Sequence, residues 1–321
     1  MTVSAVVPTW NGRVRLARLL DTIRAQSHSF SEVLVIDNGS DDGSGEMAAA
    51  WGARVVRFGE NRGFAPAVNA GIAGAAGDAV AILNDDVELD PDWLARLVDA
   101  LEAGAWFATG KLLGPSGLID GTFDCLSRAG CAVRIGHGAA DGPEWGVRRE
   151  IQLCPMTAAL FRAEVFRRAG VLEARFESYL EDVEFGVRCA AAGLGGIYEP
   201  AAVARHLGSA TLGRWSARTV RLLSRNQVLL LALHWPPPLL RRWWWQIATG
   251  QLLWGLVAVR RGRAWAFCQG KWEGVSAFRR WRGAGDGAAL EALVRTGERS
   301  IAAAHGDDTY WKWYFRLAGE K

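Results

Sequence analysis

The sequence predicts an α/β protein with a doubly wound, mostly parallel sheet, followed by a helical C-terminal region. Short apolar runs alternate with helically spaced apolar residues over roughly the first quarter of the chain, and the links between them are short. This alternation is typical of parallel strands joined by crossover helices. Composition changes near residue 205, where acidic side chains become rare and tryptophan and arginine become frequent. The chain has 321 residues, half of them hydrophobic, which is enough for a large core.

Four predicted strands alternate with three predicted helices before residue 84. Each strand is a short apolar run, and each helix repeats apolar side chains every three or four residues. The predicted strands are residues 3–7, 33–36, 54–58 and 79–83, and the predicted helices are residues 13–25, 46–51 and 65–75. Farther on, residues 151–161 resemble one strand and residues 163–169 a short helix. No regular structure is predicted for the glycine-rich residues 114–149, which are a candidate acceptor-side or lid loop.

The fourth strand ends in Asn84, Asp85 and Asp86. Two adjacent carboxylates repel each other in a low-dielectric site, and a divalent cation with oxygen ligands removes that repulsion. The carboxyl ends of strands line the ligand crevice of open α/β sheets. The step is therefore a candidate metal site that would hold phosphate. The alternative is a solvated acidic turn before a helix capped near Asp90, with Pro91 at its first position.

A second polar loop begins at Asp37, after the second strand. Its carboxylate could accept a hydrogen bond from a nucleobase or from ribose hydroxyls, whereas Asp-Asn-Gly is also a common turn. No Gly-x-Gly-x-x-Gly follows the first strand and no P-loop motif occurs, which argues against a dinucleotide-binding dehydrogenase and a P-loop ATPase.

The five cysteines form no Cys-x-x-Cys pair, which argues against a disulfide framework and a structural zinc site and suits a reducing cytosol. The N-terminus lacks the pattern of a signal peptide, so we expect none. Charge is divided along the chain: residues 1–204 have a net charge of −9, and residues 205–285 have a net charge of +13. We expect the acidic part to hold the chemistry and the basic part to meet an anionic surface.

Several short motifs, in this order and spacing, resemble the family 2 glycosyltransferases of GT-A fold. Within that family the pattern looks most like bacterial rhamnosyltransferase-type enzymes of surface polysaccharide synthesis. The resemblance covers roughly residues 2–210. The motifs are residues 8–12 (PTWNG), 36–44 (IDNGSDDGS), 61–64 (NRGF) with Asn69, 83–87 (LNDDV), 179–185 (YLEDVEF) with 198–200 (YEP), and 205–209 (RHLGS).

The resemblance implies a role for each matching residue. Asp182 would be the catalytic base, and Asp86 and His206 would bind a divalent cation, Mn²⁺ or Mg²⁺. Asn84-Asp85-Asp86 stands where the family has Asp-x-Asp, which makes Asp86 the safer metal ligand. The implied substrate-binding residues are Thr9 and Asp37 at a pyrimidine base, Arg62 at the base or diphosphate, Asp85 near the ribose or metal, and Asn69 and Glu181.

The chemistry agrees with these roles. A departing diphosphate develops charge that a divalent ion stabilises, and an attacking hydroxyl needs a base such as Asp182. One base on the face opposite the leaving group implies a single displacement with inversion. Two alternatives remain for these residues: Glu181, Asp182 and Glu184 could simply decorate the first turn of a helix, and His206 could be structural.

The C-terminal region is predicted to hold helices at residues 216–233, 243–259 and 264–278. Arginine pairs at 241–242 and 260–261 flank the middle helix, and tryptophans 243, 244, 245 and 254 are candidates for insertion into a membrane interface. The alternatives for residues 239–282 are a buried helical hairpin, an oligomer contact or a short membrane span. No RNA-binding motif is present, so no nucleic-acid partner is expected.

The sequence therefore predicts an inverting, metal-dependent hexosyltransferase with a catalytic domain at residues 1–210 and a helical, basic region at residues 211–321. The donor would be a pyrimidine-diphosphate sugar, dTDP-rhamnose or a UDP-sugar, and the acceptor a glycan, on a polyprenyl diphosphate. We expect a cytoplasmic protein attached peripherally to the inner face of the cell membrane, with homo-oligomerisation left open. The alternatives are a sugar-1-phosphate nucleotidyltransferase and a non-catalytic sugar-nucleotide-binding membrane scaffold.

Overall fold

The computed structural model describes residues 1–207 and 215–319. Of these, residues 1–123 and 136–207 form one compact unit, and residues 124–135 and 215–319 form the other. The predicted domain boundary between residues 210 and 211 lies outside the described residues, as do Gly208 and Ser209 of the last motif. The division into residues 1–210 and 211–321 therefore stays a prediction.

A ten-stranded sheet forms the centre of the first unit. Its main path has the order β10-β12-β6-β11-β4-β1-β2-β3, while β5 adds to β12 and β7 adds to β6. The strands are β1 (Val3–Thr9), β2 (Glu32–Asp37), β3 (Arg54–Arg57), β4 (Ala79–Leu83), β5 (Val87–Leu89), β6 (Phe107–Leu113), β7 (Ile119–Gly121), β10 (Arg149–Ile151), β11 (Ala158–Arg162) and β12 (Gly196–His206), with β8 (Asp124–Leu126) and β9 (Ala132–Arg134) forming a separate hairpin in the second unit.

The sheet is mostly parallel, as predicted. β1 is parallel to β2 and β4, and β2 is parallel to β3. β11 is antiparallel to both β4 and β6, so β6 and its parallel neighbour β12 have the direction of β4. The predicted α/β, doubly wound class with a helical C-terminal region is thereby confirmed.

Helices cover both faces of this sheet. Alternate side chains of β1 explain how, because Val7 joins one apolar cluster with Leu16 and Leu97, and Val6 joins the other with Val68 and Phe185. The helices are α1 (Arg13–Arg24), α2 (Ser44–Trp51), α3 (Phe64–Gly74), α4 (Trp93–Glu102), α5 (Ala163–Ala169) and α6 (Glu181–Ala191).

Three local predictions differ from the structure. Residues 151–161 do not form one strand, because β10 ends at Ile151 and β11 begins at Ala158. The intervening segment contains Pro155, which has no N–H to donate to a strand ladder. The helix predicted to be capped near Asp90 begins at Trp93. The unassigned residues 114–149 contain three short strands, β7 to β9, and a 3₁₀ turn at Pro143–Trp145.

The second unit is helical apart from the β8–β9 hairpin. Its hairpin is tied to a later helix by a buried ion pair, in which Arg128 Nη2 lies 2.7 Å from Glu298 Oε2. No helix within residues 1–207 and 215–319 combines the length and hydropathy that crossing a bilayer requires. The helices are α7 (Ala217–His234), α8 (Pro237–Arg242), α9 (Trp244–Arg260), α10 (Ala264–Ala277), α11 (Gly287–His305) and α12 (Thr309–Ala318).

Candidate active site

The sheet order changes direction between β1 and β4, which is where open α/β sheets form their ligand crevice. Thr9 ends β1, and Asp85 follows β4. Thr9 Oγ1 donates a 2.7 Å hydrogen bond to Asp85 Oδ2, and Arg15 Nε lies 3.6 Å from Asp85 Oδ1. Burial raises the pKa of Asp85 to about 6, against the opposing effects of Thr9 and Arg15. Thr9 and Asp85 are thus one buried pair at the switch point.

Asp37 ends β2 and is also buried. Its Oδ1 accepts a 2.9 Å hydrogen bond from the Ser40 backbone, so the turn interpretation of this carboxylate is borne out by geometry. Its Oδ2 lies 3.8 Å from Arg57 Nε. The same carboxylate therefore shapes the turn with one oxygen and retains the other for a charged or hydrogen-bonding partner.

Asn38 joins the end of β2 to the start of α3. Its Nδ2 donates to the Gly63 carbonyl at 3.0 Å, and its Oδ1 accepts from the Arg62 backbone at 2.9 Å. These two bonds fix the loop that carries Arg62. The Arg62 guanidinium is exposed and lies 4.7 Å from the Phe58 ring centre, where it is accessible to a ligand.

The start of α3 also contacts the segment that leads into α6. Ala65 N donates to the Glu177 carbonyl at 2.9 Å, and Phe64 N donates to Ser178 Oγ at 3.2 Å. Gly63 is needed at this contact, because a Cβ atom there would lie 2.7 Å from Glu177 O and its φ is +95°. These contacts therefore join the Arg62 loop to the segment that precedes the acidic start of α6.

Three non-glycine residues immediately before α6 have left-handed backbone. They are Glu177, Tyr179 and Leu180, with φ values of 59°, 72° and 68°. Such residues are uncommon and cost free energy, and they concentrate at functional sites. They turn the chain sharply so that α6 begins with Glu181 and Asp182.

Glu181 and Asp182 have different surroundings although they are adjacent. Glu181 is buried, and its Oε2 has no hydrogen-bond partner among the described residues. Burial, together with the negative charge of Asp182, raises the pKa of Glu181 well above its ordinary value. Asp182 is half-buried, and its Oδ1 accepts from Val183 N at 2.8 Å. A carboxyl group whose pKa is raised by burial and by a neighbouring charge is a candidate for acid–base chemistry.

His206 lies between two aspartates. β5 pairs with β12 so that Val87 is opposite His206, which brings the preceding Asp86 to the ring. His206 Nε2 lies 3.3 Å from Asp86 Oδ1, and Nδ1 lies 2.8 Å from Asp120 Oδ2. Burial opposes protonation, but the hydrogen bonds to Asp120 and Asp86 outweigh it and raise the pKa of His206 to about 9.

This arrangement fits a divalent cation. A hydrogen bond from Nδ1 to a carboxylate is the usual support of a metal-binding histidine, because it orients the other nitrogen toward the ion. A metal at Nε2 would replace the proton there. Over residues 1–207 and 215–319, no group of three or more His, Cys, Asp or Glu side chains is arranged to hold a metal. Two protein ligands are nevertheless typical where substrate phosphates supply the rest.

Asn69 is the predicted site residue that these contacts do not join to the others. Its amide exchanges two hydrogen bonds with the Leu172 backbone, Nδ2 to O at 2.8 Å and N to Oδ1 at 2.9 Å. Both polar groups of Asn69 therefore support the fold, and its substrate-binding role stays a prediction.

Sequence reasoning missed Asp120 and Asn38. Asn38 stands inside a recognised motif, so its position was a usable signal. Asp120 lies on β7 in the glycine-rich stretch without a predicted element, and no local pattern distinguishes it. Only the pairing of β7 with β6 reveals its place in the sheet.

Comparison with known proteins identifies the family of the chain. Residues 4–120 match the family model for glycosyl transferase family 2. The chain is 29% identical over 259 residues to an N-acetylglucosaminyl-diphospho-decaprenol L-rhamnosyltransferase of Mycobacterium tuberculosis, covering 71% of this chain and 83% of the relative. It is 32% identical over 196 residues to an uncharacterised glycosyltransferase of Mycobacterium bovis, covering 60% of this chain and 80% of that protein.

The fold is that of GT-A glycosyltransferases. A crystal structure of GalNAc-T7 with UDP, GalNAc and Mn²⁺ superimposes with a TM-score of 0.65 at 14% identity. The match covers 94% of this chain, which spans 58% of the GalNAc-T7 chain. The likeness in structure establishes the GT-A fold, and the likeness in sequence establishes the family. The chain is a glycosyltransferase and belongs to glycosyl transferase family 2.

Proposed function

We propose that this glycosyltransferase is inverting and metal-dependent, and that it moves a sugar from a pyrimidine-diphosphate donor to a lipid-linked glycan. The donor would be dTDP-rhamnose or a UDP-sugar. The observation that carries the proposal is the placement of Asp86 and His206, 3.3 Å apart, beside the switch point that holds Thr9 and Asp85. The rhamnosyltransferase named above supports the transfer of rhamnose and a polyprenyl-linked acceptor.

The nucleoside would bind at the ends of β1 and β2. Asp37 has one oxygen that is not used by its turn and can accept from the N–H of a pyrimidine or from a ribose hydroxyl. Thr9 and Asp85 line the adjacent strand ends. Arg62 is exposed on a loop fixed by Asn38 and can reach the base or the diphosphate.

Asp86 and His206 would hold the divalent cation at the diphosphate. When bound, the ion neutralises the charge that develops on the leaving group. The protein's own contribution is orientation: Asp120 holds the imidazole so that Nε2 faces Asp86. Because Asp86 is buried, little water would compete with the cation for this carboxylate.

Asp182 would take the proton from the attacking acceptor hydroxyl. It is half-buried and therefore reachable, while its neighbour Glu181 is buried and has a raised pKa. A carboxyl that keeps its proton cannot be the base but can donate a hydrogen bond to a sugar hydroxyl. With Asp182 as the one base opposite the leaving diphosphate, the reaction is a single displacement that inverts the anomeric centre.

The acceptor would be a sugar on a polyprenyl diphosphate, which stays in a bilayer. We therefore propose that the enzyme works in the cytoplasm at the inner face of the cell membrane and attaches there peripherally. The basic composition of residues 205–285, net +13, supports attachment to anionic lipid.

A transfer assay tests the proposal. The protein is incubated with dTDP-rhamnose or a UDP-sugar, Mn²⁺ and polyprenyl-diphosphate-linked N-acetylglucosamine, and the product is analysed by mass spectrometry and NMR. We expect one added sugar with inverted anomeric configuration, and loss of transfer in excess chelator. Full transfer in chelator would refute the metal dependence, and a retained configuration would refute the single displacement.

A further inference from the structure

We infer that the exposed sides of α9 and α10, together with the arginine-rich turn between them, form a docking surface for an anionic phospholipid bilayer. We call these residues, 252–275, the hairpin surface. The inference rests on the proposed lipid-borne acceptor for its biological sense. The hairpin surface lies wholly in the second unit, and its lipid binding can be measured without sugar transfer.

Large apolar side chains line the outside of both helices. On α9, Leu252, Leu256 and Val259 are exposed at spacings of four and three residues, and Leu252 is 68% exposed. On α10, Trp265 and Trp272 are 81% and 74% exposed, seven residues apart, and Val275 follows on the same side. Residues at these spacings share one helix face, so each helix presents an apolar stripe to its surroundings.

The fully buried positions of the same helices carry only small side chains, whereas the larger Trp254 and Phe267 are half-buried. Glycine, alanine and threonine supply every buried residue of the two helices. Gly270 and Gly274 allow α10 to approach α7, since added Cβ atoms there would lie 2.2 Å from Arg221 O and 2.6 Å from Val228 Cβ. Helices of a water-exposed protein normally bury their large apolar side chains. The reversed order here indicates that the outer face meets a second apolar phase.

Basic side chains surround these stripes. Arg260, Arg261 and Arg263 are exposed at the turn between the helices, directly between Val259 and Trp265. Residues 237–282 contain nine Lys or Arg and one acid, Glu273, which is paired with Arg221 at 2.8 Å. Arginines beside exposed tryptophans match the headgroup region of an anionic bilayer, where charge and apolar insertion act together.

The charges favour lipid over a second copy of the chain. A symmetric dimer through this surface would bring two copies of the same basic patch together, because a two-fold contact pairs a patch with itself. Like charges in an interface are unfavourable, whereas anionic headgroups neutralise them. The described helices are also too short or too polar to cross a bilayer, so the hairpin surface would lie on it.

The structure changes which tryptophan side chains are available for insertion into lipid. Trp243 is buried, and Trp254 is half-buried, stacks on Trp215 and donates to Ser224 Oγ at 3.0 Å. These two of the four tryptophans expected at the interface therefore serve the interior of the second unit. Trp265 and Trp272 on α10 take their place as the residues available to lipid.

Vesicle co-sedimentation of the full chain tests the inference. Binding is compared for vesicles of phosphatidylcholine alone and of phosphatidylcholine with about one-third phosphatidylglycerol, in low and high salt. The variants are Trp265→Ser/Trp272→Ser and Arg260→Gln/Arg261→Gln. The matched controls are Trp313→Ser, an exposed tryptophan on α12, and Arg96→Gln/Arg167→Gln, two exposed arginines of the first unit. Thermal unfolding and nucleotide binding check that each variant is folded.

We expect the wild type to bind the anionic vesicles and to be weakened by salt. The double arginine variant should lose about thirtyfold in vesicle affinity, and the double tryptophan variant about tenfold or more in either salt. The controls should bind within about twofold of wild type. The inference is overturned if wild type binds neither vesicle, or if the hairpin variants bind as well as the controls. A lipid-free dimer that Trp265→Ser/Trp272→Ser dissociates would overturn it in favour of self-association.

Discussion

At the scale of single residues, the candidate site depends on carboxyl groups that the fold places in different surroundings. Asp182 is half-buried at the start of α6, Glu181 is buried with a raised pKa, and Asp86 and Asp120 face opposite sides of one imidazole. The proposed roles of these acids differ because their surroundings differ, although all four side chains are carboxylic acids. Each role can be tested by a substitution that keeps size and changes charge.

Asp182→Asn keeps the shape of the side chain and removes its ability to accept a proton. We expect turnover to fall by roughly 100-fold or more, the scale of general-base catalysis, while donor binding persists. Steady-state kinetics and calorimetric titration with the donor measure the two quantities. Turnover within about twofold of wild type would show that another group is the base.

Glu181→Gln should behave differently, because burial and the negative charge of Asp182 raise the pKa of the wild-type carboxyl. In the unfolded chain this group ionises near its ordinary pKa of 4.5, whereas in the folded protein its pKa is raised. The folded state therefore binds more protons above that pH, and the free energy of unfolding falls as pH rises. We expect the variant to gain melting temperature relative to wild type between about pH 5 and pH 8. An unchanged difference across this range would mean that Glu181 is ionised in the folded protein.

Asp120→Ala should weaken metal binding through His206. The loss of the 2.8 Å contact to Nδ1 frees the ring, and loss of such support typically costs about 10- to 100-fold in metal affinity. Asp120→Asn keeps an accepting oxygen and should recover part of this loss. Electron paramagnetic resonance of Mn²⁺ with a nucleoside diphosphate measures the affinity without turnover. Equal Mn²⁺ affinity in wild type and Asp120→Ala would remove Asp120 from the site.

At the scale of elements, local patterns were sufficient for several strands and helices of the first unit. The predicted strand at residues 79–83 and helix at 163–169 have the observed bounds, because an apolar run or helical spacing continues to each end. The motifs that follow β1, β2 and β4 lie at neighbouring strand ends, so their grouping followed from the parallel topology. This is why Thr9, Asp37, Asp85 and Asp86 could be predicted together.

Long-range pairings could not be predicted in the same way. β5 and β7 have three residues each and are strands only because β12 and β6 lie beside them. Asp120 and its contact with His206 depend on these pairings. The left-handed backbone at Tyr179 and Leu180 could not be predicted either, because neither residue is a glycine. It persists because the surrounding contacts, including those from α3, hold it in place.

Gly63→Ala tests the contact between the start of α3 and the segment before α6. The new Cβ would lie 2.7 Å from Glu177 O, so the loop carrying Arg62 or the start of α6 must move. We expect a loss of roughly 1–3 kcal/mol in the free energy of unfolding and reduced turnover.

Gly170→Ala is the matched control, with φ +79° and ψ 179° against φ +95° and ψ 174° at Gly63. Its Cβ would meet only the end of the Arg188 side chain, at 3.1 Å. It should lose stability through backbone strain yet retain turnover. Equal effects of both variants on turnover would show that the contact has no part in catalysis.

At the scale of the whole molecule, the charge pattern of the sequence and the two compact units of the structure divide the chain at different residues. The net charge changes near residue 205, from −9 over residues 1–204 to +13 over residues 205–285, and it is −1 over residues 286–321. The second compact unit, however, also contains residues 124–135. Within this segment, Arg128 forms an ion pair with Glu298, and the Arg128 carbonyl accepts a 3.1 Å hydrogen bond from Trp235 Nε1. The composition of residues 124–135 does not indicate that this hairpin belongs to the second unit. The domain boundary was therefore the part of the organisation least accessible to sequence reasoning.

The central claim is that the carboxyl edge of the sheet is a metal-dependent site for a pyrimidine-diphosphate sugar. The most direct measurement is the melting temperature of wild type and Asp86→Asn with UDP-, dTDP- and GDP-sugars, with and without Mn²⁺. A ligand that binds only the folded state raises the melting temperature in proportion to its binding free energy. The account predicts a clear rise for UDP- or dTDP-sugars, a smaller rise without Mn²⁺, and little effect of Mn²⁺ in Asp86→Asn. Equal stabilisation by GDP-sugars, or a rise that depends neither on Mn²⁺ nor on Asp86, would contradict it.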